Sequence, residues 1–369
     1  MQPAPPPPLR GFGQPAPMFI GATDDIPRFN FSAVGGRWVV LAFFGSLSFA
    51  ASQAGHRAAM ARRGVFDDTG AALFGVSVDP ADKSERGLND EEPGIHYFRD
   101  YDGAISRAYG VAPEGAYTPT AFLLDPMLRI VASEPIDQFD RLLDTLARVR
   151  ADDAPEWAGM SAPVLTVPRI FEREFCETLI AYYERQGGAD SGVMRTAAGM
   201  TVGVLDNVFK RRRDVYLDGD ALLAQARARL EERLLPMIGR AFGWQATRIE
   251  RYLVSCYDGA ERGMFLPHRD NTTAATAHRK FAVTINLNDG YEGGALRFPE
   301  FGPRTYRPSV GGAVVFGCSL LHEVTPVESG VRYAFIPFLY DEAGAAVREA
   351  NLHRLSLAPA QAAAPVRGT

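Results

Sequence analysis

The spacing of apolar residues changes along this chain, and the change restricts the folds that it can adopt. In the first 150 residues, apolar runs that predict buried strands alternate with helical patterns, such as the stretch over 49–61. From about residue 250 onward, short apolar segments follow a period of two and are separated by glycine and proline. The 369 residues also exceed what one ordinary hydrophobic core accommodates, so the sequence predicts two domains of different classes.

The first predicted domain covers residues 15–150. Its expected strands lie at 38–44, 72–78, 120–124 and 129–132, and Asp125-Pro126 is a turn signal between the last two. The helix after them carries one apolar face, formed by Ile136, Phe139, Leu142, Leu143 and Leu146. Strands that alternate with helices predict an α/β layer that closes in a hairpin and a helix.

The second predicted domain covers residues 160–345. It begins with two amphipathic helices, and six short strands follow at 250–257, 281–287, 295–298, 313–316, 322–327 and 332–339. Many short strands with glycine and proline between them predict a β-sandwich or jelly roll. Outside both domains we expect a disordered Pro-rich leader over 1–14, a linker at Asp152-Asp153-Ala154-Pro155 and a tail over 346–369 that is loose at its end.

Composition excludes several classes of protein. Apolar residues make up 46% of the chain and charged residues 22%, as in soluble globular proteins. The net charge of -5 does not indicate nucleic acid or an acidic membrane surface as a partner, and no apolar run approaches the ~20 residues of a membrane helix. Since the N-terminus lacks the apolar core of a secretory signal and there are only three cysteines, we expect a cytoplasmic protein.

Two histidines and one aspartate form a candidate metal site. His268 and Asp270 are two residues apart, so on a strand both side chains project from the same face. His322 follows 52 residues later on another predicted strand. Two histidines and one carboxylate on one face of a metal leave positions open, which is the arrangement that non-haem Fe(II) oxygenases use, although affinity alone would favour other divalent ions.

Arg332 is the candidate anchor for an anionic ligand at this site. A turn at Glu328-Ser329-Gly330 would fold its strand back alongside the strand of His322. We therefore expect Arg332 in the same cavity, a few ångströms from the metal. A buried guanidinium is costly unless it is paired, and a dicarboxylate ligand would pair it bidentately.

The stretch from about 164 to 341 resembles the prolyl 4-hydroxylase-like branch of the Fe(II)/2-oxoglutarate dioxygenases. The matching motifs occur in the family's order: Tyr257-Asp258-Gly259, Phe265-Leu266-Pro267-His268-Arg269-Asp270, Gly293-Gly294-Ala295-Leu296-Arg297-Phe298, Gly311-Gly312-Ala313-Val314-Val315-Phe316, His322-Glu323-Val324 and Gly330-Val331-Arg332-Tyr333. The resemblance implies a double-stranded β-helix (jelly roll), 2-oxoglutarate bound to the iron and to Arg332, and contact of Tyr257 with the co-substrate. It also implies hydroxylation of a C–H bond with O2, decarboxylation of 2-oxoglutarate to succinate and CO2, and ascorbate as a further possible cofactor.

The substrate and the assembly stay open at this point. A prolyl or other side chain of a protein and a small molecule are both compatible substrates, and a homodimer is compatible with the sequence. A jelly roll that only binds its partner is the alternative from another class. The intact set of His268, Asp270, His322 and Arg332 argues against that alternative.

Residues from about 15 to 150 resemble the thioredoxin-like fold and, within it, the peroxiredoxins. The resemblance rests on the strand 38–44, on Phe74-Gly75-Val76-Ser77-Val78-Asp79 and on Thr118-Pro119 before the strand 120–124. Relatives carry a reactive cysteine just after the first long strand, but here 44–52 contains serines and no cysteine. Because peroxide reduction needs a thiolate, we predict a domain without thiol redox activity, left to recognise a substrate protein, dimerise or support the other domain.

Two polar segments have simpler interpretations. The basic run Lys210-Arg211-Arg212-Arg213-Asp214 could contact a substrate, but a solvated basic patch is the preferred reading because the surrounding charge is balanced. His278 lies in a polar stretch, and we interpret it as a loop residue and not as a metal ligand.

Overall fold

The computed structural model describes residues 11–12, 14–91, 93–113, 116–152, 161–197, 199–218 and 220–356. The chain divides into two compact units, Met1–Met160 with Pro299–Gly302 and Ser161–Phe298 with Pro303–Thr369. Most of the expected leader and residues 153–155 of the expected linker lie outside the described residues. None of the helices in the described part of the chain combines the length and the apolar character needed to span a bilayer.

The first unit is an α/β fold built on a five-stranded sheet. Its strands are β1 (Ile20–Gly21), β2 (Phe29–Asn30), β3 (Trp38–Gly45), β4 (Ala71–Ser77), β5 (Ile95–Arg99), β6 (Thr120–Leu124) and β7 (Ile130–Pro135). Its helices are α1 (Ala50–Ala61), α2 (Pro80–Ser84), α3 (Ala104–Ala108) and α4 (Phe139–Asp152). The strand order is β5-β4-β3-β6-β7. Strands β3, β4 and β5 are parallel, β6 is antiparallel to β3, and β7 is antiparallel to β6. This order confirms the predicted layer with its closing hairpin and helix.

The central strand β3 is buried at every position because both faces of the sheet are covered. Val40 and Phe44 belong to the core that includes residues of α1 and α4, whereas Leu41 and Phe43 belong to the core on the opposite face. Burial on both faces explains why this segment is a continuous apolar run and does not alternate. The edge strand β5 was not predicted, because His96 and Arg99 interrupt its apolar pattern.

The second unit combines many short strands with four α-helices among its described residues. The strands are β8 (Leu165–Val167), β9 (Ala189–Asp190), β10 (Val193–Ala197), β11 (Met200–Val204), β12 (Lys210–Arg211), β13 (Arg213–Tyr216), β14 (Arg248–Glu250), β15 (Leu253–Asp258), β16 (Met264–His268), β17 (Phe281–Asn286), β18 (Glu292–Gly293), β19 (Leu296–Arg297), β20 (Thr305–Tyr306), β21 (Ala313–Gly317), β22 (His322–Val324), β23 (Val327–Ser329), β24 (Val331–Phe335), β25 (Phe338–Tyr340) and β26 (Leu355–Ser356). The helices are α5 (Arg173–Gln186), α6 (Asp220–Arg229), α7 (Leu235–Phe242) and α8 (Glu342–Asn351), with a π-helical turn at Leu230–Leu234.

Two sheets of this unit face each other. The smaller has the order β12-β16-β22-β19-β20, and the larger has the order β14-β25-β17-β24-β15-β13-β9. In the larger sheet β21 also pairs with β17, and β8 pairs with β21. Tyr257 of β15 and Val324 of β22 pack in one apolar cluster, so side chains of both sheets meet between them. The arrangement confirms the predicted jelly roll with flanking helices.

Several predicted boundaries were wrong in detail. The strand expected over 250–257 is interrupted at Arg251, whose φ of 64° is outside the β region. The tail expected from 346 is folded as far as 356. Helix α8 begins at the cap Asp341, whose carboxylate accepts a hydrogen bond from the Gly344 N–H, and β26 pairs with β11. Residues 357–369 of that tail lie outside the described residues.

Candidate metal centre

Two neighbouring strands of the smaller sheet bring the two candidate histidines together. β16 ends at His268, β22 begins at His322, and the two residues are direct antiparallel partners. Their imidazole centroids are 4.2 Å apart. Asp270 lies just past the end of β16, where its backbone N–H donates to the Cys318 carbonyl at 2.9 Å. The expected alternation along one strand is therefore replaced by a strand end and a turn, yet the side chains still converge.

The three side chains present their donor atoms to one point. His268 Nε2 lies 3.6 Å from Asp270 Oδ1, and His322 Nε2 lies 3.3 Å from Asp270 Oδ2. One donor atom from each residue falls within 4.8 Å of the others, and among the described residues this is the only such group of three. Two imidazole nitrogens and a carboxylate oxygen match the donor set that a non-haem Fe(II) site uses.

Backbone carbonyls hold both rings in the orientation that a metal requires. His268 Nδ1 lies 2.8 Å from the Leu266 carbonyl, and His322 Nδ1 lies 3.0 Å from the Leu320 carbonyl. Since a carbonyl only accepts, each Nδ1 carries a hydrogen, and Nε2 is the nitrogen of each ring that is left for the metal.

Burial and the neighbouring groups shift the pKa values of His268 and Asp270 towards the forms that bind metal. Burial, with the adjacent His322, lowers the pKa of His268 to about 4. Burial alone would raise the pKa of Asp270, but the facing histidines hold it well below its usual range. A neutral imidazole and an ionised carboxylate are the forms that coordinate a divalent cation.

Aromatic rings enclose the histidines. Phe265 stacks on His268 with ring centroids 3.4 Å apart, and Phe316 lies 4.5 Å from His322 by the same measure. The histidine side chains are 12% and 6% exposed, and such burial strengthens electrostatic interactions.

The structure places Arg332 in the other sheet, so the predicted hairpin with the strand of His322 was wrong. Its strand β24 pairs with β15 and β17, and Arg332 is the direct partner of Tyr257. Strand β23 pairs with β18, and Gly330 then adopts a φ of 72° as the chain passes to the larger sheet. Sequence alone could not distinguish a hairpin from this crossing.

Arg332 is nevertheless buried between the sheets. It is 4% exposed, its Nη2 donates to Thr284 Oγ1 at 3.2 Å, and its guanidinium carbon lies 5.1 Å from the centroid of the Tyr257 ring. Its Nη1 is buried without a hydrogen-bond partner among the described residues. A buried guanidinium without a paired carboxylate is costly, and an anionic ligand would remove that cost.

The basic run over 210–214, which covers β12 and the start of β13, is not a solvated patch, and that interpretation was wrong. Lys210, Arg212 and Asp214 are all less than 10% exposed, whereas Arg213 lies at the surface with Asp190 and Glu261. Lys210 Nζ donates to Ser191 Oγ at 2.7 Å and lies 4.8 Å from the Phe265 ring centroid. A balanced surrounding charge does not reveal which of these side chains is buried, because charged residues are seldom buried without partners from distant segments.

His278 lies in a turn and outside the group of candidate metal ligands, as expected, but its side chain is buried. It is 1% exposed, and its Nε2 lies 3.0 Å from Glu250 Oε2. Arg279 donates to the same carboxylate and reaches the Asp270 carbonyl at 3.5 Å. The group therefore supports the turn that carries Asp270.

Comparisons with known proteins confirm both resemblances. Residues 12–133 match the model of the AhpC/TSA family. The C-terminal half matches PKHD-type hydroxylases of two Synechococcus strains, with 29% identity over 123 residues, which is 30% of this chain and 54% of each relative. The chain thus spans about half the length of these curated relatives.

Two solved structures are similar to one half each. A prolyl hydroxylase from Trichoplax adhaerens, in complex with a hypoxia inducible factor oxygen degradation domain peptide fragment, has 18% identity and a TM-score of 0.41, covering 56% of this chain and 96% of that one. The bacterioferritin comigratory protein of Xanthomonas campestris has 22% identity and a TM-score of 0.31, covering 36% of this chain and 91% of that one.

Proposed function

We propose that the second unit is an Fe(II)- and 2-oxoglutarate-dependent oxygenase that hydroxylates a C–H bond. The observation that carries this proposal is the convergence of His268 Nε2, His322 Nε2 and the Asp270 carboxylate, with both Nδ1 atoms engaged by backbone carbonyls. The similarity to PKHD-type hydroxylases supports it. When bound, iron and 2-oxoglutarate supply the activation of O2 coupled to oxidative decarboxylation of 2-oxoglutarate to succinate and CO2.

Three protein ligands leave open positions for the co-substrate and O2. We assign the distal carboxylate of 2-oxoglutarate to Arg332, because a planar guanidinium can donate two parallel hydrogen bonds and no described residue pairs with its buried Nη1. Tyr257, 3% exposed and directly opposite Arg332, lines the same subsite. The role of the protein is to bind, orient and shield the reacting groups.

The substrate that we propose is a prolyl or other side chain of a protein, and a small molecule is the alternative. Peptides and small molecules can be compared directly by succinate release, since uncoupled turnover without a substrate sets the baseline. A peptide that raises succinate release and gains about 16 Da, the mass of one oxygen atom, identifies the substrate class.

The first unit has serines where a reactive thiol would be. Ser46 Oγ donates to Asp79 Oδ2 at 2.7 Å, and Ser52 Oγ donates to the Phe44 carbonyl at 2.6 Å. Neither hydroxyl can form the stable anion that a thiol provides. We propose that this unit has no thiol redox role and serves recognition, dimerisation or support.

The test is anaerobic titration of the full chain with Fe(II) and 2-oxoglutarate. Binding is measured by the absorbance of the weak visible charge-transfer band of the chelate. The band is expected in the native protein, absent in His268→Ala and shifted to much higher 2-oxoglutarate concentration in Arg332→Ala. The exposed His353→Ala is the matched control and keeps the band. Iron that is demonstrably bound without the band would refute the dioxygenase proposal.

A further inference from the structure

Arg212 occupies the point where the chain passes from one sheet to the other. It is the single residue between β12, which pairs with β16 in the smaller sheet, and β13, which pairs with β15 in the larger sheet. Its side chain is 8% exposed. A cation buried at this junction can contact groups that belong to both halves of the proposed site.

The guanidinium of Arg212 contacts one aromatic residue from each sheet. Its Nη1 donates to the Tyr257 hydroxyl at 3.4 Å, and its Cζ lies 5.9 Å from the centroid of the Tyr257 ring and 5.9 Å from that of Phe265. Phe265 is the residue stacked on His268. Arg332 approaches the same tyrosine ring at 5.1 Å. Tyr257 therefore lies in contact with two guanidinium groups.

The other side of the Arg212 guanidinium is anchored. Its Nη2 donates to Asp214 Oδ2 at 2.7 Å and to Ser191 Oγ at 3.2 Å, and Asp214 is itself 9% exposed. Arg251 also reaches that carboxylate, at 3.4 Å. Since two acceptors hold Nη2 of this planar group, the position of Nη1 against Tyr257 is restricted as well.

We propose that Arg212 is a positioning residue that acts through Tyr257 on the 2-oxoglutarate subsite; this inference rests on the proposed function. A phenol that accepts a hydrogen bond still has its own O–H to donate. With Arg212 as donor, the Tyr257 O–H is directed into the space beside Arg332, where it donates to a carboxylate of the co-substrate. Arg212 also links this tyrosine to Phe265, and so sets the co-substrate subsite relative to the metal ligands.

The experiment measures metal and co-substrate binding separately in the full chain. Co(II) affinity is read from its visible absorption, and 2-oxoglutarate affinity is then measured calorimetrically on the Co(II) protein. Arg212→Gln is expected to raise the Kd for 2-oxoglutarate about tenfold, as the loss of one oriented hydrogen bond would, and to leave the Kd for Co(II) within about twofold. Arg212→Lys is also expected to raise the Kd for 2-oxoglutarate. Lysine keeps the positive charge beside Asp214 but lacks the planar guanidinium that can donate to Asp214 and Tyr257 together. If Arg212→Gln does not fold, this variant carries the test.

Two further variants separate positioning from a purely structural role. Tyr257→Phe is expected to match the effect of Arg212→Gln, and the double variant is expected to be no weaker than either single one. Arg213→Gln removes the same charge from the surface neighbour and is expected to change neither affinity.

An additive double variant, or a parallel loss of Co(II) affinity in the Arg212 variants, would overturn the inference. If Arg332→Ala weakens the binding of 2-oxoglutarate but the Arg212 variants do not, the proposed role of Arg212 is wrong and the proposed function still stands. If Arg332→Ala and Tyr257→Phe also leave 2-oxoglutarate binding unchanged, the proposed function fails with it.

Discussion

Replacement of Glu250 by glutamine should remove a pH-dependent part of the stability of the second unit. Its carboxylate, with a side chain 16% exposed, accepts hydrogen bonds from His278 and Arg279. Arg279 in turn reaches the backbone carbonyl of Asp270. The change therefore affects the support behind a proposed metal ligand without altering any ligand.

The expected magnitude follows from the pKa of Glu250. Burial alone would raise this pKa, but hydrogen bonds and charge from His278 and Arg279 lower it from 4.5 to about 2. At about 1.4 kcal/mol per pH unit, the difference corresponds to about 3 kcal/mol of unfolding free energy at neutral pH. Because the folded-state pKa is the lower one, this stability is present above pH 4.5 and is lost as the pH falls toward 2.

The assay is urea unfolding of the native protein and of Glu250→Gln at several pH values. Between about pH 6 and about pH 3, the free energy difference between the two proteins is expected to shrink by about 2 kcal/mol, since glutamine does not titrate. Glu342→Gln is the matched control, because Glu342 pairs with Arg248 at the surface and should show little change. A difference that stays constant over this range would refute the reasoning.

Three further outcomes are expected. His322→Ala should raise the Kd for Co(II), measured by visible absorption, more than about 100-fold, and an unchanged Kd would contradict its assignment as a ligand. Arg332→Met should raise the Kd for 2-oxoglutarate, measured by calorimetry, by about 100-fold. Arg332→Lys should have an intermediate effect, because an ammonium cannot donate two parallel hydrogen bonds. Equal effects of the two variants would argue against bidentate binding. The metal-free protein, with dithiothreitol, should consume hydrogen peroxide no faster than buffer, and saturable consumption would contradict a first unit without thiol redox activity.

The structure confirms the predicted α/β fold and jelly roll. Both could be predicted because they follow from the spacing of apolar residues, which depends on local geometry. The convergence of His268 with Asp270 was also expected from the sequence, although Asp270 reaches the site from a turn past the end of β16 and not by alternation along a strand. The position of Arg332 could not be predicted from local geometry. Its strand follows that of His322 in the chain, but hydrogen bonds of the larger sheet place it beside Tyr257 instead. Strand pairing depends on long-range contacts that the local pattern does not contain.

By itself, the sequence determined two domains of different classes, a first domain without cysteine, and a set of metal-binding residue types in one half of the chain. Only the tertiary structure decided which face each charged side chain occupies. Lys210, Arg212 and Asp214 are buried, and Arg213 lies at the surface. The physical reason is that a charged residue can be buried only where partners from distant segments satisfy it, and Ser191, Tyr257 and Arg251 meet these residues only in the folded chain.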